Sequence, residues 1–178
     1  MPSGVAVTPD GAHAYVAAND GVAVIETATN TVVATVALTD DANTVAITPD
    51  GAFAYVGGQD RLSVIATSTN TVVLSSISVG DARGVAITPD GAFAYVAENR
   101  ERVRRIATAT NTVVDEPDVG LFSPEDVAIT PDGAFIYVTG RDFSAGDPGT
   151  VLVIETATNT IVASVSVGTS PKGLAITP

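Results

Sequence analysis

Gly84-Val85-Ala86-Ile87-Thr88-Pro89-Asp90-Gly91-Ala92-Phe93-Ala94-Tyr95-Val96 decides the fold: an alternating apolar run, a Thr-Pro-Asp-Gly break, then a second alternating run. Alternation of Val, Ile, Phe and Tyr with small or polar residues reads as β-strand, and Pro followed by Asp and Gly reads as a tight turn between antiparallel partners. In the first copy of this pattern two more strands follow, Val22 to Glu26 and Thr31 to Leu38, joined by Thr27-Ala28-Thr29-Asn30. No stretch carries a helical period.

The pattern repeats. Thr-Pro-Asp-Gly starts at Thr8, Thr48, Thr88 and Thr130, and a fifth copy opens with Thr177-Pro178, at spacings of 40, 40, 42 and 47 residues. Four short strands in each such period predict an all-β protein, a β-propeller in which every repeat is one four-stranded antiparallel blade. A sandwich is the alternative architecture. Neighbouring apolar residues on the third strands (Val24 with Ile25, Val64 with Ile65, Val153 with Ile154) fit a sheet covered on both faces, which a blade is and a sandwich sheet is not. The expected blades of this single repeat domain span residues 4-39, 44-80, 84-120 and 126-168, and 173-178 begins a fifth with an extra inner strand. Pro2 to Pro9 and Pro171 to Pro178 are the same octapeptide position, 169 residues apart. Such a chain is expected to be part of a larger ring; an arc completed by self-association and a closed four-blade ring are the other two readings.

These residues resemble a known family. Gly-Val-Ala-Ile-Thr-Pro-Asp-Gly, then Tyr15-Val16-Ala17-Ala18-Asn19 and its counterparts at Tyr55, Tyr95 and Tyr137, then Thr-Ala-Thr-Asn-Thr-Val-Val, are similar to the YVTN-type β-propeller repeat of prokaryotic surface-layer and other cell-envelope proteins. The resemblance covers essentially the whole chain. It implies an extracellular or cell-envelope location and rings of more blades than four. The opening Met1-Pro2-Ser3-Gly4 has neither the basic flank nor the apolar run of a signal peptide, so no exporting segment is expected in this stretch.

Composition excludes several function classes. Of 178 residues 46% are hydrophobic and 16% charged, a balance that supports a packed core. Acids outnumber bases 20 to 8, a formal charge of −12, so nucleic acid and membrane insertion are not expected. Cysteine is absent, which removes disulfides and thiolate chemistry. His13 is the one histidine and replaces Phe53, Phe93 and Phe135 of the other repeats, so neither a transition-metal set nor a Ser-His-acid constellation can assemble around it. No cofactor and no metal is expected.

The candidate residues fall in three groups. Pro9-Asp10-Gly11, Pro49-Asp50-Gly51, Pro89-Asp90-Gly91 and Pro131-Asp132-Gly133 recur once per blade; carboxylates so arrayed could gather a cation, but turn chemistry accounts for all of them. In the third blade Arg102, Arg104 and Arg105 face Asp115-Glu116-Pro117-Asp118 across a hairpin, with Arg105 where its sisters have Val24, Val64 and Val153, and read as compensated charge. The fourth blade carries an insertion, Thr139 to Thr150, read as a loop, whose Arg141, Asp142, Phe143 and Asp147 form a candidate contact set. Tyr15, Tyr55, Tyr95 and Tyr137 read as core between blades.

Two function classes follow. The first is a non-catalytic module presenting a binding or scaffold surface for protein or glycan partners, with self-association completing a ring. The second is a lactonase-like or cofactor-dependent propeller enzyme with a site near the central channel, for which Glu125 and Asp126 are the candidate acids.

Overall fold

A computed structural model describes residues 1–99, 101–117, 119–120, 122–142 and 149–177. The chain forms two compact units, Met1–Ala82 and Arg83–Pro178. In the first, β1 (Gly4–Val7), β2 (His13–Ala18), β3 (Gly21–Glu26) and β4 (Thr31–Ala37) make one antiparallel sheet in chain order. A second sheet runs β5 (Thr44–Ile47), β6 (Phe53–Gly57), β7 (Arg61–Ala66) and β8 (Thr71–Ser78). The other unit repeats the plan with β9 (Ala82–Ile87), β10 (Phe93–Glu98), β11 (Arg102–Ala107) and β12 (Thr112–Asp115), then β13 (Phe122–Ile129), β14 (Phe135–Asp142), β15 (Gly149–Glu155) and β16 (Thr160–Val167). No helix occurs among the described residues.

Local chemistry explains each sheet. The turn between its third and fourth strands ends on Asn30, Asn70, Asn111 or Asn159, all at φ between 53° and 55°. Asparagine tolerates this left-handed conformation better than other side chains apart from glycine. Past the turn the register slips by one residue, at Val24/Ile25, Val64/Ile65, Arg105/Ile106 and Val153/Ile154. The slip is a β-bulge. The extra residue on the fourth strand, Val33, Val73, Val114 or Val162, is turned out to solvent in every sheet.

Within each unit the two sheets pack face to face through small residues and the repeated tyrosines. Tyr15, Val22, Val24, Val45, Val56 and Ile65 share one core. Tyr95, Val103, Val127, Ile136, Val138 and Ile154 share the other. The approach is close: a Cβ on Gly4 would lie 2.9 Å from the Thr44 Cα, and one on Gly84 would lie 2.9 Å from the Asp126 Cα. Tyr15 and Tyr95 bury their rings and donate their hydroxyls to the next sheet's turn asparagine, Tyr15 to Asn70 Oδ1 at 2.6 Å and Tyr95 to Asn159 Oδ1 at 3.2 Å. Tyr137 differs from its sisters and is only half-buried.

The asparagine thus has two separable jobs. Asn70→Gly keeps the left-handed turn and loses the tyrosine contact, so it should cost about 1 kcal/mol; Asn70→Ala loses both and should cost about 1–2 kcal/mol more. Urea unfolding of the two variants checks this, and equal losses would mean that the backbone conformation contributes nothing.

Residues 173–177 are not in a strand, and the Leu174 amide donates to Asp126 Oδ2. Two expectations are corrected. At the described ends of the stretch from Thr139 to Thr150, read as loop, two strands are lengthened instead. Thr139 to Asp142 belong to β14 and Gly149 and Thr150 to β15, because Arg141 pairs with both Ser123 and Gly149. Glu125 and Asp126, which sequence alone sets just ahead of the fourth blade's inner strand, lie inside β13.

Candidate functional site

Each sheet has a turn end, where Thr-Pro-Asp-Gly and the asparagine turn meet, and an opposite end. At the turn end the aspartate is built into the loop. Asp10, Asp50, Asp90 and Asp132 each accept, on Oδ1, the hydroxyl of the threonine two residues earlier at 2.5 to 2.6 Å and the amide of the alanine two residues later at 2.9 to 3.0 Å. Gly11, Gly51, Gly91 and Gly133 take φ of 71° to 73° and close the turn onto the threonine carbonyl. Pro9 and Pro89 set φ and also pack sideways: their Cδ atoms lie 3.4 Å and 3.3 Å from where a Cβ would stand on Gly51 and Gly133 of the neighbouring sheet.

Those hydrogen bonds hold all four carboxyls below the ordinary aspartate value, the threonine hydroxyl being the larger cause and the alanine amide the next. A folded-state value below the unfolded one stabilises the fold above the ordinary range, and that stability drains as pH falls through it. Asp126 works in the opposite sense. Burial raises its carboxyl above the ordinary value, despite amides from Leu174 and Val127, so ionising it opposes folding as pH rises. With four depressed groups against one raised, the thermal midpoint should fall between pH 5 and pH 3, and Thr88→Val should flatten that acid limb. A midpoint independent of pH over this interval would refute the turn linkage.

Between the two sheets of each unit, the turn end opens into a cleft. In the first unit Thr8, Asp10, His13, Tyr15 and Asp50 line it. In the second, Thr88, Asp90, Phe93, Tyr95 and Asp132 occupy the same repeat positions, joined by Arg105. His13 is thus half-exposed beside two aspartates, but no group of three or more metal-ligating side chains forms among the described residues.

At the opposite end the third sheet carries an ion network. Arg104 lies 2.6 Å from the buried Glu98 and 3.0 Å from Glu116, which also pairs with Arg102 at 3.4 Å. Arg105 stands opposite Asp115 in the ladder as the hairpin count anticipates, yet its guanidinium lies over the Phe93 ring. Asp118 lies outside the described residues. Glu98 escapes a reading of the sequence because it sits in the Tyr-Val-Ala run; the signal is that its sisters at this position are Ala18, Gly58 and Gly140.

The fourth sheet brings Arg141 of the candidate contact set together with Glu125 of the candidate acids. Glu125 is the extra residue where the β13–β14 register slips, and it meets Arg141 at 3.2 Å. Asp126 points elsewhere, to the Leu174 amide. Asp142 ends β14, and its side chain, with Phe143 and Asp147, lies outside the described residues.

No protein-family model matches the chain, and no curated protein does. Solved structures do. One, a chain of hydrazine synthase from Kuenenia stuttgartiensis, superposes with a TM-score of 0.88 over 94% of this chain at 27% identity. The chain is a β-propeller. Its four sheets are the blades, and it spans about half the length of that neighbour, 49%. With no family model matching, the finer likeness of the propeller to YVTN-type repeats stays a resemblance of motifs.

Proposed function

We propose that this propeller is a non-catalytic module that presents a binding or scaffold surface to protein or glycan partners at the cell envelope. The observation that carries the reading is the fate of the repeated acids. Each blade's aspartate is engaged by its own threonine and alanine, so what repeats serves the fold and what differs between blades is left for recognition. The differing groups are Arg105, the Glu98–Arg104–Glu116 network and the Arg141–Glu125 pair. Self-association belongs to the same proposal, supported by Val5 and Val7 on β1, which are 66% and 54% exposed.

The likeness to hydrazine synthase favours a second reading, a propeller part of an enzyme, in which Glu125 and the half-buried Asp126 would be the reactive acids. One experiment separates the two. The chain is titrated against purified envelope polysaccharide and surface-layer protein, and assayed in parallel for hydrolysis of simple lactones with and without a divalent cation; light scattering of the same sample reports its mass. Saturable binding without turnover supports the module. Lactone hydrolysis abolished by Glu125→Gln would install the enzyme in its place, and a chain that binds neither polymer refutes the module.

A further inference from the structure

The cleft of the second unit has a volume of about 240 Å³. Its counterpart in the first unit shows what the repeat alone supplies: threonine, tyrosine and one aspartate from each blade. Two positions then distinguish the second cleft. Phe93 stands where the first has His13, and Arg105 stands opposite Tyr95 where Val24 stands opposite Tyr15.

The fold does not account for Arg105. Its sister valines show that the strand needs no cation there. The guanidinium lies 3.7 Å over the Phe93 ring, a stacking that fixes its plane. Its Nε is buried and has no hydrogen-bond acceptor. Asp115, opposite in the ladder, accepts from Asn159 instead. That Nε is closed to any ligand, so an acceptor from solution meets the rest of the guanidinium, which lines the cleft.

The charges in the cleft define that acceptor. Asp90 and Asp132 use Oδ1 for their own turns, and their Oδ2 atoms remain to accept. Two carboxylates and one guanidinium repel a bare anion through the acids and a bare cation through the arginine. A small molecule carrying both charges satisfies all three. Pro89 and Ala157 add an apolar wall. The volume corresponds to about eight water molecules, the heavy-atom count of a small branched amino acid.

We propose that this cleft binds a free zwitterionic amino acid of about valine's size, its carboxylate on the Arg105 guanidinium and its ammonium toward Asp90 and Asp132. The site shares Arg105 with the macromolecular surface proposed above, but its test reads amino-acid binding alone and does not depend on that surface.

The test titrates the whole chain with L-valine while the Phe93 and Tyr95 ring signals are followed by NMR. Two half-ligands run in parallel, 3-methylbutanoate without the ammonium and 2-methylpropan-1-amine without the carboxylate. Valine should saturate with Kd on the order of 1 mM, and each half-ligand should bind at least about ten-fold more weakly. Arg105→Val, the sister residue and so compatible with the fold, should abolish binding. Asp132→Asn should weaken valine about ten-fold while strengthening 3-methylbutanoate. Binding that survives Arg105→Val, 3-methylbutanoate as tight as valine, or no saturation by about 100 mM valine overturns the site.

Discussion

Replacing Glu98 with alanine should lower the unfolding free energy of the second unit by about 3 kcal/mol. Glu98 is 1% exposed and ends β10 with its carboxylate 2.6 Å from Arg104, whose side chain is itself only 18% exposed. Removing the acid leaves the guanidinium largely out of water with only the solvent-facing Glu116 to answer it, and an uncompensated buried charge is far more costly than a missing pair. The first blade shows the apolar solution: Ala18 and Ala23 fill the two equivalent positions. The double variant Glu98→Ala/Arg104→Ala should therefore recover most of the loss and lie within about 1 kcal/mol of the parent. Urea unfolding followed by circular dichroism, over the limb assigned to the second unit, measures the cycle. Losses that simply add would show that the two groups do not depend on each other.

Gly21→Ala should be at least as damaging, at about 3 kcal/mol or more. Gly21 opens β3 at φ 125°, and a Cβ there would stand 2.1 Å from the Val36 carbonyl oxygen and 3.1 Å from the Ala37 Cα. Both obstacles are backbone of the paired strand β4, which cannot swing aside as a side chain would without breaking its ladder. Gly11 is the control. It also has a positive φ, 71°, but nothing lies within 4 Å of its Cβ position, so Gly11→Ala should cost only about 1 kcal/mol of conformational strain. Thermal unfolding of both variants separates conformation from collision, and similar midpoints would disprove the collision at Gly21.

Much of the fold was legible because its signals are local. Pro9-Asp10-Gly11 and its repeats specify a turn through three neighbouring residues, and Asn30 and its sisters specify the left-handed position four residues before the bulge is complete. The insertion misled for the same reason. Gly140, Arg141 and Asp142 have loop composition, yet they continue β14 because β13 and β15 offer ladders on both sides. Strand propensity is weak beside the hydrogen bonds a neighbour supplies.

The candidate site was less legible. Pairing within one hairpin could be counted, which placed Arg104 and Arg105 opposite Asp115 to Pro117, and the ladder pairs Arg105 with Asp115. What Arg105 touches could not, since the ring of Phe93, on the paired strand β10, takes its guanidinium while Asn159 of the next blade takes Asp115. Glu125 reached Arg141 only because a bulge falls at Glu125, a slip that no motif announces.

Sequence alone therefore determined the repeat, the turn chemistry, the strand alternation and the four-bladed all-β plan, since each is set by residues within a few positions of one another. Tertiary structure decided which charges are buried, which arginine is left without an acceptor, and where one blade's tyrosine finds the next blade's asparagine. Those outcomes depend on packing between sheets, where a single ångström separates a satisfied group from an orphaned one, and no local pattern encodes that distance.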